Sequence, residues 1–292
     1  MSPKRRAELL LILTTMIWGG TFSAIKNGLG EASPLILMGS RFALAALCFS
    51  LVFPRIWRNL NRRSLTGGLI LGILMFLGYG LQTLGLKETT ASRSGFITYT
   101  FALYTPFLQF LILKRKPALK NLIGLGIVFS GLFLISRPGG GPVGRGDILT
   151  LGGALATAFY VIFLDIIARK HDTFLLTALQ FIVCAAMSFL LAPLTETPYI
   201  RWTPNLIGSL LYLALLGSVV AIALMTRFQK DLTPTRAVLL YALEPLFALL
   251  FAALLLGERL SFPEAAGCGL ILAGVVYSEL SPEKKRKSPV IS

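Results

Sequence analysis

A carboxylate and a proline stand side by side, Glu244–Pro245, inside the apolar run LYALEPLFALLFAALLLGERL from Leu240 to Leu260. A run of that length crosses the ~30 Å of hydrocarbon in a bilayer. An ionisable group there is expensive and ordinarily faces a bundle interior or a water-filled cavity. Two kinds of chemistry suit such an acid: holding a substrate cation, or alternating between protonated and charged forms to couple transport to protons. Proline adds a second irregularity, because it has no N–H for the carbonyl of Tyr241 and its ring kinks a helix. The competing reading is structural: Pro245 bends a helix and Glu244 neutralises a buried arginine.

Other side chains at similar depth are aromatic or amphipathic. WGGTF supplies Trp18, Thr21 and Phe22; GYGLQ supplies Tyr79 and Gln82, three apart and so on one helix face; Tyr99, Tyr160 and Tyr241 complete the set. An indole and phenols at midplane need partners for N–H and O–H, which favours cavity lining over packing alone. An aromatic wall suits flat apolar groups, and a bound ammonium gains cation–π attraction besides the carboxylate of Glu244. Gly78, Pro106 and Pro245 mark candidate helix kinks, the two prolines displaced by about one turn, roughly 5.4 Å, between the positions they would share in a duplicated chain. Arg41 has an intermediate depth. Its structural reading, snorkelling to the interface, stands ahead of a role in binding a substrate carboxylate. Asp165 and Lys26 are placed to reach the interface.

Several chemistries are excluded by what the chain does not contain. The cysteines Cys48, Cys184 and Cys268 and the one histidine, His171, have no metal-type spacing. No HExxH, GxSxG or paired-carboxylate pattern appears, and RPGGGPVGRG, Arg137 to Gly146, lacks the GK[ST] ending of a phosphate loop and reads as a connector. The expectation is no enzyme, no catalytic residue, no metal and no cofactor. A net charge of +15 would suit nucleic acid, but the cations fall in short clusters between apolar runs, so no nucleic-acid partner is expected.

With 55% hydrophobic and 14% charged residues and a mean hydropathy of +0.75, the chain reads as an all-α polytopic membrane protein. Ten apolar spans lie near 7–27, 34–54, 67–86, 92–113, 119–136, 147–168, 173–193, 206–228, 234–256 and 263–280. Lys4, Arg5 and Arg6, the cations around Arg55–Arg63, those around Lys114–Lys120, and Lys284–Lys287 all fall on one side, which places both termini in the cytoplasm. The chain also repeats. An offset of 139 lays Glu8 on Asp147 and Phe42 on Phe181; an offset of 143 lays Arg93 on Arg236, Gly124 on Gly267 and Gly131 on Gly274. Ten transmembrane helices then form two inverted five-helix repeats, 1–141 and 142–292, because an odd number of spans reverses the second copy. That plan recurs in transporters, with substrate near the midplane and access alternating between the faces. Small residues at spacing four, Gly126 with Ser130 and Ala265 with Gly269 and Ala273, mark candidate close-packed faces of the fifth and tenth spans, read as an internal contact.

WGGTF, the five-plus-five duplication, the proline of the ninth span and the GERL that ends it, Gly257 to Leu260, together resemble the drug/metabolite transporter superfamily of the EamA type. Within it the chain looks most like the bacterial aromatic amino acid exporters of the YddG group. The resemblance implies export of small metabolites across a bacterial inner membrane through a central cavity. Its substrate would be an aromatic or amphipathic amino acid, or else another amine or drug, and its working unit a monomer. A scaffold protein that transports nothing is the alternative from another class. The chain departs from its own symmetry where KRKP, Lys114 to Pro117, stands in place of GERL. Trp18, Phe22, Tyr79, Gln82, Tyr99, Tyr160, Tyr241 and Glu244 are the residues expected to line the cavity.

Overall fold

A computed structural model describes residues 2–89, 91–136, 142–256 and 261–280, with the side chains of Phe22, residues 91–92, 252–256 and 279–280 outside that description. The described residues hold nine helices long and apolar enough to cross a membrane and one shorter apolar helix. We number them α1 (Pro3–Leu29), α2 (Pro34–Val52), α3 (Arg62–Glu88), α4 (Arg93–Leu113), α5 (Leu119–Ser136), α6 (Arg145–Ile167), α7 (Thr173–Thr195), α8 (Pro204–Asp231), α9 (Pro234–Tyr241 and Glu244–Leu256) and α10 (Phe262–Leu280). The GERL segment and the first half of the glycine-rich connector lie outside the described residues.

Local sequence explains where these helices begin. Pro34, Pro204 and Pro234 each stand at a helix start, where a missing N–H removes no helical bond. Thr203 and Thr233 accept hydrogen bonds from the N–H groups of Leu206 and Arg236, and Asn61 with Ser64 closes a reciprocal cap at α3. Glu196, at the end of α7, accepts from the first free N–H groups of α2, at Leu35 and Ile36. An isolated bridge between Ala32 and Ile200 ties the two connections on that face.

Helices α5 and α10 show the inverted symmetry in detail. A Cβ on Gly124 would lie 2.7 Å from the carbonyl oxygen of Gly274, and one on Gly131 would lie 2.6 Å from that of Gly267. Since Gly124 is equivalent to Gly267 and Gly131 to Gly274, the two contacts exchange under a two-fold axis, as antiparallel repeats require. The small residues at spacing four do not make this contact. Gly126, Ser130, Ala265, Gly269 and Ala273 are exposed on the outer faces, and a Cβ on Gly126 or Gly269 would meet nothing within 4 Å. Both sets of positions are small, and only the neighbouring helix decides which face turns inward.

The helix breaks also correct the sequence reading. α4 is interrupted at Thr100, between Ala91–Tyr99 and Phe101–Leu113, while Pro106 lies inside its second segment. α9 is interrupted at Ala242–Leu243. Under the 143-residue offset Thr100 falls on Leu243, so the breaks are equivalent although the prolines are not. Pro245 sits in the first turn of the segment after its break, where it ends one helix piece and begins another. Asp165, expected at the interface, is 2% exposed and paired with Arg169 at 2.7 Å and Arg115 at 3.5 Å.

Candidate functional site

Seven of the eight expected lining residues, Trp18, Tyr79, Gln82, Tyr99, Tyr160, Tyr241 and Glu244, surround one cavity at the middle of the bundle. The eighth, Phe22, has its side chain outside the described residues. Thr21, Gly78, Thr98, Phe101 and Thr157 also line this space. Phe101 is the repeat equivalent of Glu244, so the first half places a ring where the second places an acid.

Glu244 is delivered by the break in α9. The chain leaves helix at Ala242–Leu243 and restarts at Glu244, which puts the carboxylate at the positive end of the second segment's dipole. α1 comes close at this point because Gly19 has no side chain: a Cβ there would lie 2.9 Å from the backbone nitrogen of Ala248. Among the described residues Glu244 forms no direct ion pair, and the cation that acts on it through space is the buried Arg41. Tyr99, 3% exposed, borders the same space, and its hydroxyl faces the Glu244 carboxyl group without meeting it, or any other group, in good hydrogen-bond geometry.

The remaining polar groups are held from behind. Tyr160 donates to Gln180 Oε1 at 2.9 Å, and Gln180 donates onward to Thr226 at 3.0 Å. Tyr241 donates to Gln229 Oε1 at 3.0 Å, and Gln229 donates to the carbonyl of Val161 at 2.8 Å. Gln82 donates to Thr98 at 3.0 Å. The Tyr241 ring stands 5.7 Å from that of Trp18. These bonds tie the phenol oxygens and fix the ring planes, so the cavity wall is preorganised and largely apolar. Gly78 lies within the uninterrupted helix α3, where a Cβ would come within 2.7 Å of Thr157 Oγ1 on α6.

A wider turn in α8 shapes the opposite wall. Residues Tyr212–Val220 form a π-helix, a distortion frequent at functional sites. The carbonyl of Gly217 within it accepts from Trp18 Nε1 at 3.1 Å and from Arg41 Nη2 at 3.1 Å, while Arg41 Nε donates to Ser218 Oγ at 2.8 Å. Arg41 is therefore no snorkelling residue. It is 4% exposed, lies against the rings of Phe42 and Tyr79 at 4.9 and 5.3 Å, and lines the cavity. Distance along the helix was the only sequence signal for its depth, and that signal could not show the π-helical turn that holds it inside.

The EamA-like transporter family model matches residues 5–137 and again 144–279, two copies that follow the repeat seen in α5 and α10. The chain belongs to the EamA-like transporter family. An uncharacterized transporter of Archaeoglobus fulgidus is 31% identical over 274 residues, covering 94% of this chain and 86% of that protein. A Chlamydia muridarum protein named as an S-adenosylmethionine/S-adenosylhomocysteine transporter is 26% identical, covering 94% and 92%. The uncharacterized inner membrane transporter YedA of Escherichia coli is also 26% identical, with the same coverage. A solved crystal structure with 18% identity superposes with a TM-score of 0.81 over 95% of this chain and 97% of that one, which shows the fold. These EamA relatives are named as transporters and not as enzymes, so the setting of the cavity is a lipid bilayer and its occupant a small molecule.

Proposed function

We propose that this EamA transporter exports aromatic amino acids from a bacterial cell across the inner membrane, as a monomer with both termini in the cytoplasm and with access alternating between the faces. The observation that carries the reading is the carboxyl group of Glu244, without a direct ion pair among the described residues, in a cavity walled by Trp18, Tyr79, Tyr99, Tyr160 and Tyr241. A ring can stack and lose water there while an ammonium group meets the carboxylate. The name of the chlamydial relative supports the same chemistry, since S-adenosylmethionine joins an amino acid to a flat ring. Glu244 either holds the ammonium itself or carries the proton that drives export.

Counterflow with purified protein in liposomes tests the reading. Liposomes preloaded with unlabelled phenylalanine, tryptophan, an aliphatic amino acid, an aromatic amine or a nucleobase are offered labelled phenylalanine. Aromatic amino acids are expected to drive its transient accumulation. No accumulation with any of them refutes the substrate assignment, and simple equilibration without overshoot identifies a channel.

A further inference from the structure

We propose that Arg41 is the carboxylate-binding residue of the cavity, and that the transported molecule is a zwitterion held by its two charges between Arg41 and Glu244. The proposal rests on the reading of the cavity as a substrate site and names the charge pattern that the site selects. A buried guanidinium with no counter-ion is costly inside a bilayer. Arg41 forms no ion pair among the described residues, and its hydrogen bonds go only to the hydroxyl of Ser218 and the carbonyl of Gly217, both on α8. Those two bonds use Nε–H and one N–H of Nη2, while Nη1 donates to no group among the described residues. The ring of Tyr79 on one flank and the π-helix behind hold the guanidinium plane in place.

Glu244 lines the same cavity; the two charges act on each other through space but make no direct ion pair. The cavity thus presents a guanidinium and a carboxyl group that do not contact each other directly, among aromatic side chains. A molecule with a carboxylate and an ammonium satisfies both at once, and the hydroxyl of Tyr99, beside the Glu244 carboxyl group, is a third polar contact. A simple amine leaves Arg41 without its counter-ion, and a simple acid leaves Glu244 without one. The repeat equivalent of Arg41 is Gln180, which is tied to Tyr160 and Thr226, so only one half offers the cation.

The test is counterflow by the full-length protein and its Arg41→Gln and Arg41→Lys variants, with phenylalanine, leucine, phenethylamine and 3-phenylpropionate as competitors. Wild type is expected to recognise the zwitterions at least tenfold better than the amine or the acid. Arg41→Gln is expected to lose that preference by falling tenfold for zwitterions while recognition of phenethylamine holds or improves, and Arg41→Lys to keep part of it. An equal loss for zwitterion and amine shows a structural role and overturns the proposal, as does unchanged phenylalanine exchange or a wild type that exchanges no zwitterion. If wild type exchanges leucine but no aromatic compound, the aromatic reading fails, and the dependence of leucine exchange on Arg41 still decides this one. Thermal unfolding of each variant with and without the competing zwitterion separates lost binding from lost folding.

We also infer, from separate residues, that two ion pairs act as opposed gates. Arg236 at the start of α9 pairs with Glu8 of α1 on the membrane face that carries the N-terminus. Arg93 at the start of α4 pairs with Asp147 of α6 at 2.8 Å on the other face. The arginines are equivalent under the 143-residue offset and the acids under the 139-residue offset, so one repeated contact occurs twice, once at each mouth. Each pair joins the first half of the chain to the second, so opening either mouth between the halves requires breaking the pair there. Removing one pair therefore favours the state open on its own face.

A single cysteine at Thr157, a lining residue, in a background lacking Cys48, Cys184 and Cys268, reports which mouth is open through an impermeant maleimide added from either side of sealed vesicles. Glu8→Gln is expected to raise labelling several-fold from the N-terminal face and lower it from the other. Asp147→Asn and Arg93→Gln are expected to do the reverse, and Glu8→Arg combined with Arg236→Glu to restore the parent pattern. Asp147 also accepts from Thr89 and the N–H of Gly144, and Arg93 also donates to the carbonyl of Pro142, so agreement between the Asp147 and Arg93 variants, which share the ion pair, assigns the effect to that pair. No change, or equal change from both sides, overturns the inference.

Discussion

Gly124 and Gly274 meet backbone to backbone, so that a Cβ on Gly124 would lie 2.7 Å from the Gly274 carbonyl oxygen. Neither helix can retreat without giving up the equivalent contact of Gly131 with Gly267 at the other end of the same seam. Gly124→Leu is expected to destabilise the protein by about 1–3 kcal/mol through overpacking, read as a lower unfolding temperature in detergent. Gly126→Leu, two residues away and facing open space, is the control expected to change little. Equal effects at the two positions would show that the seam contributes nothing particular.

Tyr241 and Tyr99 are both buried phenols in the cavity wall, yet removing their hydroxyls has opposite expected results. Tyr241→Phe strips the bond to Gln229 Oε1, and Gln229 is fully buried, so about 1–3 kcal/mol of stability is lost with the stranded acceptor. Tyr99→Phe removes a hydroxyl that faces the Glu244 carboxyl group without a hydrogen bond of good geometry and is expected to leave stability equal or higher while weakening substrate recognition. Thermal unfolding with counterflow on the same preparations checks both; a destabilised Tyr99→Phe would contradict the account of that hydroxyl.

Glu244→Gln keeps the shape of the side chain and removes the charge. Exchange of phenylalanine is expected to fall by tenfold or more if the carboxylate holds the ammonium. If it carries a proton, net flux is expected to lose its response to an imposed pH gradient while counterflow persists. Unchanged exchange together with an unchanged response to the gradient would remove Glu244 from the mechanism.

Pro245 occupies the first turn after the break in α9, where a backbone N–H has no intrahelical acceptor. Pro245→Ala is accordingly expected to change stability by less than about 1 kcal/mol, because α4 breaks at the equivalent position, Thr100, with no proline next to it. A large loss of stability, measured by thermal unfolding, would show that the ring itself and not the surrounding packing maintains the break.

What the chain alone determined follows from solvent and periodicity. Apolar runs of spanning length admit only helices, because every backbone polar group in hydrocarbon must be satisfied within the segment. Two constant offsets imposed the inverted duplication, and eight aromatic, amide and acidic side chains stood out at one depth, most of them carrying a polar group that is expensive in lipid without a partner. Tertiary structure decided which face of each helix turns inward, and so chose Gly124 and Gly131 over Gly126 and Ser130, whose spacing looked equally suitable. It also showed a break in α4 at Thr100, the repeat equivalent of the break in α9 and one that no adjacent proline marks. Arg41 shows the division most clearly: its charge is read from the chain, but its place beside the cavity of Glu244 is set by the π-helical turn of α8, a helix remote in sequence, that accepts its hydrogen bonds.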